Sequence, residues 1–167
     1  MPKELEVTVG ITCFNGEKTI GKAINSALIQ NYAPREIIVV DDASSDRSGH
    51  IIQELIKIHP LKIRLIRHSQ NLGCPASRNT VLQHAKGDYI AFFDDDDISS
   101  DDRLKQQVQV IQKIPQWRKY PVACYASGVK IYQNGYKKRF YAPGALGPSP
   151  SAVELKRYLL MGEKKGE

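Results

Sequence analysis

Four carboxylates stand in a row at Asp94-Asp95-Asp96-Asp97, directly after the apolar run Tyr89-Ile90-Ala91-Phe92-Phe93. Like charges this close repel one another, and more strongly away from bulk water. A bound cation relieves the repulsion, and carboxylate oxygens are the ligands Mg²⁺ and Mn²⁺ take, usually together with substrate phosphates. The competing reading is a solvated acidic loop that also favours the start of the next helix. Two further polar tips bear on the choice. Thr12 follows the alternating Val7, Val9 and Ile11, and Asp41-Asp42 follows the β-branched run Glu36-Ile37-Ile38-Val39-Val40.

The elements that must carry these residues alternate in type. Leu5–Thr12 reads as a strand, and Ile20, Ala23, Ile24, Ala27 and Leu28 recur at helical spacing. Tyr32-Ala33-Pro34 ends that helix, and Glu36–Val40 is the second strand. Asp46 or Ser48 is positioned to cap a helix whose stripe is Ile51, Ile52, Leu55 and Ile56. Ile63–Ile66 is a third strand, Asn71-Leu72-Gly73 a turn, and Pro75 the first position of a helix reaching about Gln83. The run from Tyr89 to Phe93 reads as a strand buried on both faces. Ser99 or Ser100 then caps a helix bearing Leu104, Val108 and Ile111. Alternating strands and helices imply parallel pairing, and ligands of such sheets gather beyond the C-terminal strand ends. Thr12, Asp41-Asp42 and Asp94–Asp97 are therefore expected to converge on one crevice.

After Pro115 the pattern changes. Val122–Tyr125 and Gly128–Tyr132 read as strands, and Asn134-Gly135 as a hairpin turn. Ala142–Pro150 reads as a loop, Ser151–Glu154 as a capping box opening a last helix, and Gly162 as its stop.

The chain has 167 residues, 41% hydrophobic and 25% charged, which suits one soluble domain spanning 1–167. No apolar run has the length of a membrane span, and Met1-Pro2-Lys3-Glu4 has no signal-peptide character. Cys13, Cys74 and Cys124 match neither a disulfide framework nor a metal spacing, so a reduced, cytoplasmic setting is expected. The net charge of +6 allows attraction to phosphates or to an anionic membrane surface without requiring it. A dinucleotide fingerprint and a Gly-Lys-Ser/Thr phosphate loop are absent. A calcium loop from Asp94 fails, because Ser99 and Lys105 stand where Gly and Glu are needed. His50, His59, His68 and His84 lack ligand spacing and read as surface or helix-end residues.

Taken together, four segments resemble the family 2 glycosyltransferases. Val7–Asn15 is similar to that family's opening strand and loop, and Val39–Asp46 to its second-strand motif. Asn71–Asn79 is similar to its Asn-x-Gly…Arg-Asn segment, and Gly87–Asp97 to its Asp-x-Asp strand. The resemblance implies a GT-A fold: α/β, with a Rossmann-like, mostly parallel sheet flanked by helices, then a C-terminal β-hairpin and short helix. It implies a nucleotide-diphosphate-sugar donor, most commonly a UDP-sugar, with Mn²⁺ or Mg²⁺ and inversion at the transferred carbon. The acceptor would be a glycan or lipid-linked hydroxyl, as in cell-surface polysaccharide biosynthesis.

Carried onto this chain, the resemblance places Thr12, Phe14 and Asn15 along the nucleotide. Asp42 would accept a hydrogen bond from base or ribose, with Asp41 beside it. Gly73 and Arg78 would lie near the nucleotide and diphosphate, Arg78 being equally able to pair with an Asp of the crevice. Asp94 and Asp96 would be the metal pair, Asp96 the direct ligand and Asp94 reaching ribose or metal through water. Asp95 rivals them because a run of four leaves the register open. Asp97 would cap the helix.

The chain departs from the family pattern towards its end. In the enzymes it resembles, the catalytic base follows a helix like Ala152–Met161, and here no residue qualifies. Glu154 belongs to the capping box, and Glu163 and Glu167 lie in a charged tail. Residues 1–115 are thus expected to form the nucleotide-sugar part and 116–167 the start of a truncated acceptor part. The alternative reading is a non-catalytic nucleotide-sugar-binding module, acting through a partner subunit or a second copy. Lys137-Lys138-Arg139 and Lys156-Arg157 suit either an anionic membrane or lipid-linked acceptor, or plain solvation. No nucleic-acid partner is expected.

Overall fold

The computed structural model describes residues 4–114, 122–124, 126–131 and 135–140. Two compact units divide the chain after Gln109. The first holds a four-stranded sheet of β1 (Val7–Cys13), β2 (Glu36–Asp41), β3 (Ile63–Arg67) and β4 (Tyr89–Asp94). Its strand order is β3-β2-β1-β4 and every pairing is parallel. The intervening helices are α1 (Ile20–Leu28), α2 (Ser48–Ile58) and α3 (Cys74–His84), and α4 (Arg103–Gln112) follows β4. The second unit contains an antiparallel hairpin of β5 (Gly128–Ile131) and β6 (Lys137–Phe140), with Gly135 at φ 79° before β6. The parallel sheet and the hairpin are as the sequence implies.

Strand order decides which strands are buried on both faces. Every residue of the central β1 is buried, and so is β2 from Ile37 to Asp41. The double-sided burial expected of Tyr89–Phe93 is corrected here. That strand ends the order, Tyr89 to Phe92 are half-buried, and only Phe93 is fully enclosed. Its apolar run reflects partial cover on each side.

The period-two pleat then sorts side chains. Ile38 and Val40 pack with Val81 of α3, joined by Ile66, Ile90 and Phe92. The alternate set, Ile37, Val39 and Asp41, therefore points to the opposite face. Parallel register carries the same division across strands: Thr12 lies beside Val40 and Asp94, and Cys13 beside Asp41. Gly10 allows α3 to sit close on β1, since a Cβ there would lie 2.5 Å from Val81 Cγ1.

Helix starts differ in detail from expectation. Pro75 occupies the first turn of α3, which begins at Cys74. Neither Asp46 nor Ser48 caps α2: the helix starts at Ser48 with Arg47 at its N-cap and no side-chain capping bond, and Asp46 Oδ1 accepts the Ser48 amide at 2.9 Å in a turn just ahead of it. Neither Ser99 nor Ser100 caps α4 with its side chain. The Gln30 carboxamide Oε1 takes the Leu104 amide at 3.0 Å, and Ser99 Oγ accepts from Arg103. Arg103 also donates to the Phe92 carbonyl and lies over the Phe93 ring, which fastens α4 to β4. Residues 122–124 are not a strand. Tyr125, Tyr132, Asn134 and the loop, helix and tail expected from residue 142 onward lie outside the described residues.

Gly87 enters β4 against backbone: a Cβ there would meet Thr8 N at 2.6 Å and Glu6 O at 2.9 Å. Backbone cannot swing aside as the Val81 methyl facing Gly10 can. Gly87→Ala is therefore expected to cost about 1–3 kcal/mol and Gly10→Ala less, as read by urea unfolding. Equal losses would mean that the two neighbourhoods yield alike.

Candidate functional site

Parallel strands end on one side of the sheet, so the tips of β1, β2 and β4 meet. They border a cavity of about 270 Å³. Of the residues expected at the site, Thr12, Phe14, Asp42, Arg78, Asp94, Asp95 and Asp96 line it. Cys13, Cys74 and Ser77 line it too and were not anticipated. Asn15, Asp41 and Gly73 do not line it.

The pleat separates Asp41 from Asp42. Asp41 is wholly buried on the α2 side; its Oδ1 accepts the Ser44 amide at 2.9 Å and its Oδ2 lies 3.4 Å from Arg67 Nε. Arg67 also donates to the Ser44 carbonyl at 2.7 Å, so Asp41 and Arg67 brace the turn after β2. Asp42 points the other way. Its Oδ1 accepts the Leu72 amide at 2.9 Å and His68 Nδ1 at 2.6 Å, and its Oδ2 accepts the Gly73 amide at 2.7 Å. Burial alone would raise the Asp42 pKa, but the two amides and His68 outweigh it and hold the carboxyl below its usual range. Gly73 thus serves the site through its amide, at φ 86°, a value suited to glycine. The sequence reads His68 as a surface or helix-end residue. The structure corrects this: its side chain is 10% exposed and bonded at both ring nitrogens, to Asp42 and to Thr80 Oγ1 at 2.9 Å. No periodicity or spacing in the sequence marks it.

The β1 loop is tied down on two sides. Asn15, at φ 53°, donates its amide to Ser44 Oγ and accepts the Ser45 amide on Oδ1, each at 2.9 Å. Ala43, at φ 60° in the facing loop, is a non-glycine in the left-handed region, a conformation costing on the order of 1–3 kcal/mol that these bonds offset. The Phe14 amide donates to Asp95 Oδ2 at 3.3 Å, while the Phe14 ring stands half-exposed on the rim. Gly16 makes room for this contact, because a Cβ there would lie 2.5 Å from Asp95 Oδ2.

The four carboxylates divide by surroundings. Asp94 accepts Arg78 Nη2 at 2.9 Å, and Arg78 lies 5.7 Å above the Phe92 ring. Burial and the Asp96 charge raise Asp95, despite the amide it accepts. Burial and the charges of Asp94 and Asp96 raise Asp97, against the opposing pull of Arg103. Asp96 is exposed and lines the cavity. Among the described residues no group of three or more His, Cys, Asp or Glu is arranged to hold a metal. Mg²⁺ and Mn²⁺ are nonetheless held through one or two carboxylates plus substrate phosphates, and Asp94 and Asp96 on a crowded anionic rim fit that donor set.

The Glycosyl transferase family 2 model matches residues 8–141. The chain belongs to that family. As a family 2 chain it is 39% identical over 108 residues to EpsE of Bacillus subtilis (strain 168), covering 65% of this chain and 39% of EpsE. It is 35% identical over 107 residues to the UDP-Glc:alpha-D-GlcNAc-diphosphoundecaprenol beta-1,3-glucosyltransferase WfgD of Escherichia coli, covering 64% and 41%. Among solved structures it is similar to the mannosyltransferase PcManGT from Pyrobaculum calidifontis in complex with GDP-Man and Mn²⁺. The identity there is 28% and the TM-score 0.62, over 68% of this chain and 34% of that one. These likenesses give this family 2 chain the GT-A fold. The chain spans about two fifths of the length of the curated relatives it matches.

Two outcomes follow from the site's electrostatics. Burial, with the Asp95 charge adding to it, pushes the Cys13 thiol up to about 12, whereas Cys74 is exposed on the cavity wall. Iodoacetamide on the native protein should alkylate Cys74 and leave Cys13 intact in the peptide mass spectrum; labelling of Cys13 first would contradict this. Asp42, with its pKa lowered on folding, contributes stability in full above the ordinary carboxylate value of about 4, and loses it as pH falls through the folded value. Asp42→Asn should cost about 1–3 kcal/mol at neutral pH and flatten the acid limb of the stability profile, measured by urea unfolding across pH.

Proposed function

We propose that this chain binds a nucleotide-diphosphate-sugar donor and serves transfer of its sugar to an acceptor hydroxyl with inversion, the nucleoside diphosphate departing. The observation that carries the reading is the meeting of Thr12, Asp42, Arg78, Asp94 and Asp96 around one cavity at the ends of parallel strands. Acidic and basic groups there answer to different parts of such a donor. The Phe14 ring on the rim offers a face for a base, and Asp42 keeps an acceptor position for base or ribose. The Arg78 guanidinium pairs with Asp94 and has the fork geometry that phosphate oxygens also take. Asp94 and Asp96 would hold Mn²⁺ or Mg²⁺; the cation, when bound, supplies electrostatic stabilisation to the departing diphosphate. Asp41 and Asn15 support the reading from behind, by shaping the two loops that present Asp42 and Phe14.

UDP is the donor nucleotide we favour, since WfgD is named for UDP-Glc, although PcManGT was solved with GDP-Man. WfgD is also named for a diphosphoundecaprenol-linked sugar, which makes a lipid-linked acceptor at the cytoplasmic face of a membrane our reading for this chain. No helix among the described residues is long and apolar enough to cross a membrane.

Calorimetric titration with UDP, GDP, CDP and dTDP, each with and without Mn²⁺, tests the donor site. One nucleotide should bind in a metal-dependent manner. Asp96→Ala should weaken that binding by roughly tenfold or more, through the loss of one charged group that would hold the cation. Absence of binding to all four would overturn the reading.

A further inference from the structure

His68 follows the last residue of β3, and three bonds fix it. Its amide donates to the Asp41 carbonyl at 2.9 Å, extending the β2–β3 ladder by one rung. Its ring reaches Asp42 through Nδ1 and Thr80 of α3 through Nε2. Nδ1 must donate, because an ionised carboxylate can only accept. Thr80 has a single hydroxyl proton, and its Oγ1 lies 3.2 Å from the Ala76 carbonyl as well as 2.9 Å from Nε2. That proton serves one of the two. With Nδ1 protonated, Nε2 of the neutral ring accepts, so the imidazole spans from the tip of β2 to the second turn of α3 when the Thr80 hydroxyl donates to it.

The span matters because the two anchors belong to different walls of the cavity. Asp42 stands on one wall; Ser77 and Arg78, within three residues of Thr80, stand on the other. A carboxylate offers about four acceptor positions. Leu72, Gly73 and His68 fill three of them and so leave one, on Oδ2, of a residue that lines the cavity. Without the ring, Asp42 would keep only the Leu72 amide on Oδ1 and the Gly73 amide on Oδ2, both from the segment leading into α3, and the link from Asp42 through His68 to Thr80 in the second turn of α3 would be lost. The Ser77 hydroxyl is buried in that wall with no partner, so the wall's exact seating decides what it can meet.

Resting on the donor-site reading above, we propose that His68 is a positioning residue of the nucleotide crevice: it sets the orientation of Asp42 and the spacing between Asp42 and the Arg78-bearing helix, and thereby the affinity for a nucleoside diphosphate.

The test uses UDP with Mn²⁺ as probe on the full chain, with affinity by calorimetry and melting temperature recorded in parallel. His68→Leu removes both ring contacts and should weaken UDP roughly tenfold or more. His68→Asn restores a donor near Nδ1 and should recover most of that loss at a melting temperature close to that of His68→Leu. Thr80→Val cuts only the second tie and should give an intermediate loss. Recovery of affinity without recovery of stability is what a purely structural role would not produce. Wild-type binding with His68→Leu unchanged overturns the positioning role and leaves the donor site standing. Absence of wild-type binding overturns the donor site, and this role with it. If His68→Leu does not fold, the wild-type histidine ring ¹H–¹⁵N spectrum decides. The His68 ring signals should shift on adding UDP while those of His50 and His59 stay, and unmoved His68 signals overturn the proposal.

Discussion

One carboxylate gathers the site. Asp42 stands at the end of a buried strand and accepts bonds from the amides of Leu72 and Gly73 and from the ring of His68. Those donors belong to the segment that leaves β3 and enters α3. A polar side chain that is only 3% exposed would be costly without partners. With three of them it converts a loop of small and polar residues into a fixed wall. The course of residues 68–73, the start of α3 and the presentation of Arg78 all follow from that one group being satisfied.

The acidic strand end poses the opposite problem, too much charge rather than too little water. The chain disperses it by giving each carboxylate a different environment. Asp94 takes Arg78, Asp95 is drawn under the Phe14 loop, Asp97 lies near Arg103, and Asp96 remains at the surface of the cavity. Burial, with the neighbouring charges adding to it, still raises Asp95 and Asp97.

The alternation of strands and helices was legible because apolar period and turn residues agree along the first hundred or so positions. The convergence of three polar tips was legible as well, since parallel strands must end together. Which face a tip residue chooses was harder to read. Asp41 and Asp42 are chemically identical neighbours, and only the register of Cys13 with Asp41 tells which one turns toward α2. The apolar run of Tyr89–Phe93 reads as burial on both faces, whereas the strand order gives that burial to β1 and β2. The cap of α4 comes from Gln30, and the partner of Asp42 from His68. Both contacts span long sequence separations between ordinary polar residues, and no local pattern encodes them.

Gly16 leaves the space in which Asp95 Oδ2 reaches the Phe14 amide, so the β1 loop and the acidic turn share one contact. A ligand that moves one side of it must do work on the other. By thermodynamic linkage, whatever factor a cation on the acidic turn adds to the affinity of a molecule resting on Phe14 is the factor that molecule adds to the affinity of the cation. Order of arrival then changes the route but not the final occupancy, and a side chain introduced at Gly16, by breaking the shared contact, would bring that factor closer to one.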